Sequence, residues 1–192
     1  MTSRPSLVDT PPFEPVPVAL LVDTSVLIGL GTTGSSKTDF IEYMTAAEKH
    51  VYLSPYVVEE LKTDDADEYG VNGWLAEAQQ QQSLEVLPPL DEGIRIHDAP
   101  KAGVMMDRAH EWLAKLEQRE RDDVRKTDPA FAGCFVQLLG GYGYDEVGLV
   151  IDDRKAEQAL SAVITGTDYE SAVRLFRSGE FLEMVREFHR SP

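Results

Sequence analysis

Two kinds of hydrophobic block succeed one another along this chain. The first is a short unbroken apolar run. Residues 18–22 (Val-Ala-Leu-Leu-Val) and 147–151 (Val-Gly-Leu-Val-Ile) are the strongest. Runs of that length, free of polar interruptions, predict strands buried on both faces, as in a parallel sheet. Val51-Tyr52-Leu53 predicts a shorter strand, and residues 84–87 another, stopped by Pro88-Pro89. The second kind is spaced at three and four residues. Phe40, Ile41, Met44 and Ala47 predict a helix over 37–49. Ser54-Pro55 supplies an N-cap and a first-turn proline for a helix carrying Val57, Val58 and Leu61. Met105, Ala109, Trp112, Leu113 and Leu116 share one side of a long helix over 99–125. Further helices are expected over 128–139 and 154–163, with two short ones around Ser171 and Phe181. The Gly-, Ser- and Thr-rich stretch 29–36 reads as a loop, and the glutamine-rich stretch 74–82 as helical.

Strands alternating with helices imply an α/β chain with a parallel sheet and helices on both faces. The expected architecture is a three-layer α/β/α sandwich around a central, mostly parallel, Rossmann-like sheet. Residues 1–17 hold five prolines and read as an extended or disordered arm, leaving 18–192 as one domain.

Composition changes this picture chiefly through charge. Thirty-four acidic residues against 18 basic ones give a net charge of −16. Such an excess repels itself in dilute salt and is tolerated where salt screens it, as inside a halophile. It also argues against a broad phosphate-binding surface, since affinity for nucleic acid comes largely from Lys and Arg. Any such function must rest on a local site or on metal ions. The single cysteine, Cys134, excludes an internal disulfide framework and suits a cytoplasmic protein. No apolar run approaches membrane-spanning length, and the four histidines lack zinc-ligand spacing.

The candidate chemistry is acidic. Asp23 ends the first strand, and Asp152 and Asp153 end the strand over 147–151. Open α/β sheets bind ligands outside those carboxyl ends. Asp128 opens a helix and falls on its apolar face, three, four, seven and eleven residues before Phe131, Ala132, Phe135 and Leu139. Before Pro129 it also makes a good N-cap, and the two roles are evenly matched. Glu60 flanks the apolar face of its helix, whereas Glu59 points farther away. Carboxylates gathered at one sheet edge repel one another unless cations are present. Hard oxygen donors suit Mg²⁺ or Mn²⁺.

Four segments carry a family likeness: Leu-Val-Asp-Thr-Ser-Val-Leu-Ile from residue 21, Leu-Ser-Pro-Tyr-Val-Val-Glu-Glu-Leu from 53, Lys-Thr-Asp-Pro-Ala from 126 and Leu-Val-Ile-Asp-Asp-Arg from 149. Together they resemble the PIN domain family, over nearly the whole chain after the arm. The resemblance implies a metal-dependent endoribonuclease. Asp23, Glu60, Asp128 and Asp153 would be its catalytic and metal-holding acids, and Asp152 a further candidate ligand. Thr24, Ser25 and Arg154 would lie near substrate, with Arg154 or basic residues between Lys115 and Lys126 positioning the RNA backbone. It implies RNA as partner, an antitoxin-like or other regulatory protein as a second partner, and a homodimer. Ile151 departs from the family pattern, which has threonine there, and residues 64–125 form a longer helical insertion than in compact toxins of the family.

Two alternatives stay open. Residues 31–38 (Gly-Thr-Thr-Gly-Ser-Ser-Lys-Thr) imitate a P-loop, with Ser36 where the motif wants glycine. A PIN-like module that holds RNA or a protein without cutting is the other. The charge reading has a direct check. The unfolding temperature in KCl is expected to climb steadily toward molar salt; a flat or falling profile rules out adaptation to high internal salt.

Overall fold

The computed structural model describes residues 17–31, 34–61 and 84–190. The sheet is built outward from β1 (Ala19–Val22), whose four residues are wholly buried. Each large apolar side chain so buried contributes roughly 1.5–3 kcal/mol. β2 (His50–Leu53) pairs along one side of β1 and β4 (Val147–Ile151) along the other. β3 (Leu84–Val86) and β5 (Val173–Arg177) form the two edges. Every pairing is parallel, and the strand order is β3-β2-β1-β4-β5. The chain therefore moves outward from β1 to β3, then crosses to β4 on the opposite side. The point of reversal lies between β1 and β4, where neighbouring loops part and leave a crevice at the carboxyl edge.

Right-handed crossovers place successive helices on opposite faces when the direction of travel reverses. α1 (Thr24–Gly31) and α2 (Gly34–Ala46) pack with the last helix, α7 (Ser178–Arg190). Edge-to-face contacts of Phe181 with Phe40 and Tyr43 seal that layer. α3 (Pro55–Leu61) starts as its sequence predicts, the Val57 N–H donating to Ser54 Oγ at 3.2 Å. The other layer holds α4 (Ala102–Glu117), α5 (Thr127–Gly141) and α6 (Arg154–Ile164), mutually packed. α5 also contacts β1 and β4, and its residues 129–139 are all buried. It is the central helix, and its N-terminus stands over the crevice side of the sheet.

Several expectations are corrected. Residues 29–36 are not one loop: α1 runs to Gly31 and α2 starts at Gly34, with 32–33 outside the described residues. β1 therefore leads into α1, so the stretch 31–38 lacks the strand–loop–helix setting a P-loop requires. The helix expected over 99–125 ends at Glu117, because Gln118 takes the left-handed conformation (φ 57°) and turns the chain away. A short 3-10 turn at Arg121–Asp123 follows. In place of a helix around Ser171 there is β5, whose half-buried edge pattern hides the strand signal. The strand expected over 84–87 is β3, which joins the sheet, and α4 packs in the core. The arm to residue 16 and the segment 62–83 lie outside the described residues.

Gly148 lets β4 lie flat against its neighbours. A Cβ there would come within 2.6 Å of a Leu20 methyl and 3.1 Å of the Phe176 ring. Gly148→Ala is expected to destabilise the protein by about 1–3 kcal/mol, the cost of overpacking a filled core. The check is a urea melt: the midpoint should fall with the slope unchanged.

Candidate active site

Asp23 is carried to the crevice by the β1–β4 ladder. Its own N–H extends the ladder, donating to the Val150 carbonyl at 3.0 Å. Its side chain then caps the helix that begins at once. The Thr24 N–H donates to Oδ1 at 2.7 Å, and Ser25 Oγ donates to Oδ2 at 3.0 Å. Burial raises the Asp23 carboxyl above its ordinary pKa, and the charge of Glu60 adds to this; the Ser25 and Thr24 bonds pull the other way.

Glu60 reaches the same place from α3. Thr24 Oγ1 donates to its Oε2 at 2.9 Å, and Thr127 Oγ1 donates to its Oε1 at 2.7 Å. Thr24 opens α1 and Thr127 opens α5. One carboxylate thus ties two helix N-termini together, and the positive ends of those dipoles favour it. Glu59, its neighbour, is exposed. Arg125 Nη1 stands 3.8 Å from Glu60 Oε1, with most of its side chain in solvent.

Asp128 does not cap α5. The cap position is Lys126, with no side-chain capping bond, and Asp128 lies in the first turn, half-buried. Burial pushes its pKa up to about 7, and the charges of Asp23, Asp153, Glu60 and Glu117 push the same way, in that order. Asp128 thus feels the charge of all three of the other predicted acids. Asp153 has a second task. Its Oδ1 accepts from the backbone N–H groups of Lys155 (2.6 Å) and Ala156 (2.9 Å), capping α6. Asp153 is itself exposed, as are Asp152 and Arg154 beside it. Thr24 and Ser25 are engaged with carboxylates, and Ile151 is buried.

Two residues at this site escaped the sequence reading. Thr127 was passed over although it adjoins Asp128. Glu117 comes from the end of α4, and no local signal ties it to the sheet edge; Arg125, in the loop after α4, belongs to the basic stretch 115–126 expected near the RNA backbone. Glu117 and Arg125 line a cleft of about 300 Å³ next to Asp128.

Among the described residues, no three His, Cys, Asp or Glu side chains are grouped so as to hold a metal ion as they stand. The donor chemistry nevertheless fits a hard cation. The converging side chains offer carboxylate oxygens, flanked by hydroxyls, and burial and like charge both call for a counter-charge. Coordination would require the carboxylates to draw closer together, using the lone pairs that their hydroxyl and amide partners leave open. Nothing in the described residues is long and apolar enough to cross a membrane as a helix.

The raised pKa of Asp128 has a consequence for the metal-free protein. Between its ordinary 3.8 and about 7, the folded state binds a proton that the unfolded chain has released. Stability must then fall as pH rises through that window. Asp128→Asn removes the titration. In chelator, its unfolding temperature is expected to exceed that of the wild type above about pH 7, and the difference should vanish below about pH 4.

The sequence profile of the halobacterial PIN domain matches residues 16–189. A search of curated proteins found no significant match.

Proposed function

Since the chain belongs to the halobacterial PIN domain family, whose wider family is generally made up of metal-dependent nucleases, we propose that it is a Mg²⁺- or Mn²⁺-dependent endoribonuclease. The observation that carries this reading is the electrostatic convergence of Asp23, Glu60 and Asp153 on Asp128, beside the reversal point of the sheet.

In this reading Asp23, Glu60, Asp128 and Asp153 hold one or two divalent ions, with Asp152 at the solvent margin. Such an ion, when bound, supplies Lewis acidity for the phosphate oxygens and a nucleophilic water at neutral pH. The protein's own part is to place the donors. The ladder bond to Val150 fixes the backbone of Asp23. The Thr24 and Thr127 hydroxyls hold Glu60 between two helices. The amides of Lys155 and Ala156 orient Asp153, leaving the direction of its second oxygen set by the first. Ser25 fixes one Asp23 oxygen in the same manner. Arg154, exposed at the start of α6, would in this reading meet a phosphate of the RNA backbone.

A second reading, a module that holds RNA without cutting it, is favoured by the lack of a ready three-acid grouping among the described residues and by Ile151 at the family's threonine position. A cleavage assay on single-stranded and structured RNA separates the two. Run in Mg²⁺ or Mn²⁺ at high salt, it is expected to show metal-dependent endonucleolytic products. Asp23→Asn should slow cleavage by about 100-fold or more. Cleavage that persists undiminished in Asp23→Asn overturns the mechanism, and binding without products in the wild type supports the second reading.

A further inference from the structure

The outer face of α4 carries a charge pattern that neither the core nor the crevice uses. The helix packs its buried residues, Ala102, Met105, Ala109 and Leu113 among them, against α5 and α6. At about 3.6 residues per turn, its outward arc divides into two flanks. One holds Asp107 and Glu111, and Arg121 from the loop after α4 serves both. Arg121 Nη2 donates to Asp107 Oδ1, and its Nη1 stands 4.0 Å from Glu111 Oε1. The other flank is a stripe of Lys101, at the N-cap, then Val104, Arg108, Trp112 and Lys115, all exposed. The last four stand three, seven, eleven and fourteen residues past Lys101, which keeps them on one helix face.

The stripe combines apolar anchors with unpaired cations. Val104 is 41% exposed and Trp112 44%. At about 1.5 Å per residue they lie about 12 Å apart along the helix. Lys115 Nζ sits 5.6 Å from the centre of the Trp112 ring. Among the described residues, no ion pair engages Lys101, Arg108 or Lys115. On a chain where acids outnumber bases 34 to 18, three cations in line are thus left without a carboxylate. A tryptophan between an arginine and a lysine, all solvated, has the composition of an interface centre. The width of the stripe selects the occupant. A helix about 10 Å across covers it without touching the acidic flank. A phosphate backbone gains nothing from Val104 and meets Asp107 and Glu111 alongside.

We propose that this stripe docks an acidic amphipathic helix of another protein, laid along α4. Apolar side chains of that helix cover Val104 and Trp112, and its Asp and Glu side chains meet Lys101, Arg108 and Lys115. Burial at the two anchors carries the affinity, and the cations choose the sign of the partner. The Asp107 and Glu111 flank repels an acidic helix that strays sideways, which fixes where it lies. None of the four acids of the carboxylate site takes part, so the proposal stands apart from the nuclease reading.

The test is binding of a synthetic probe. A fluorescent helical peptide of leucine and glutamate, with leucine at alternating spacings of three and four, is titrated with the full chain over a range of KCl concentrations. The same peptide with lysine for glutamate is the control for sign, and circular dichroism confirms that each variant is folded. The glutamate peptide is expected to bind at least about tenfold tighter than the lysine peptide. Arg108→Glu and Trp112→Ala should each weaken it about tenfold. Added KCl should shrink the loss in Arg108→Glu and leave the loss in Trp112→Ala in place. Tryptophan emission should shift to the blue on binding, and the shift should disappear in Trp112→Phe. Arg186→Glu, on the exposed side of α7, should bind like the wild type. No binding of the glutamate peptide, equal binding of the lysine peptide, or wild-type affinity in either Arg108→Glu or Trp112→Ala overturns the proposal. A single-stranded oligoribonucleotide that displaces the peptide and is itself lost in Arg108→Glu overturns it in favour of nucleic acid. A dimer of the chain that Arg108→Glu dissociates and the peptide does not overturns it in favour of a second copy.

Discussion

Like charges crowded into a partly dry crevice repel one another, and the carboxyl edge of this sheet is arranged to bear that repulsion. Asp128 shows the strain most clearly, its pKa pushed up to about 7 by burial and by four neighbouring carboxylates. The surroundings offset part of it. α1, α5 and α6 all begin at this edge, so three helix dipoles point their positive ends at the acids. Backbone amides bond Asp23 and Asp153, and hydroxyls bond Asp23 and Glu60. What these dipoles do not neutralise is available to a cation.

The rest of the fold follows from holding these groups in register. β1 and β4 must be adjacent and parallel for Asp23 and Asp153 to share an edge, and Gly148 permits that contact at the level of Leu20. α5 must lie across both strands for Asp128 to reach them, which is why its flanks are buried almost all round. Glu60 then links α1, α3 and α5 by two hydroxyl bonds. The acidity of this protein has two origins with different physics. Exposed acids such as Asp152, Asp153 and Glu59 are screened by salt; half-buried Asp23, Glu60 and Asp128 are screened less and depend on specific partners.

Much of this was legible along the chain. The apolar runs announced β1 and β4, and the acid ending each run pointed to the crevice. The spacing from Asp128 to Leu139 correctly put Asp128 on the inward side of its helix. Other features were not legible. β5 carries Arg174 and Arg177 among its apolar residues and covers only an edge, so it lacked the unbroken run of a central strand. The glycines at 29–31 suggested a loop, yet tertiary packing of α1 against α2 and α7 overrides their weak helix propensity. Asp128 looked like a cap and is not one, whereas Asp153 caps α6 as well as facing the site.

The sequence by itself determined that the central strands β1 and β4 are buried, where they end and which carboxylates stand at those ends, because an unbroken apolar run and its termination are local features. It also carried the excess of negative charge, a property of composition alone. Only the tertiary structure decided the order of strands, and with it which acids become neighbours. Glu60 meets Thr127 across 67 residues of chain, and the cleft with Arg119 and Arg125 exists only because Gln118 turns the loop back toward Asp128. Such contacts join residues far apart in the chain, and no periodicity along the chain encodes them.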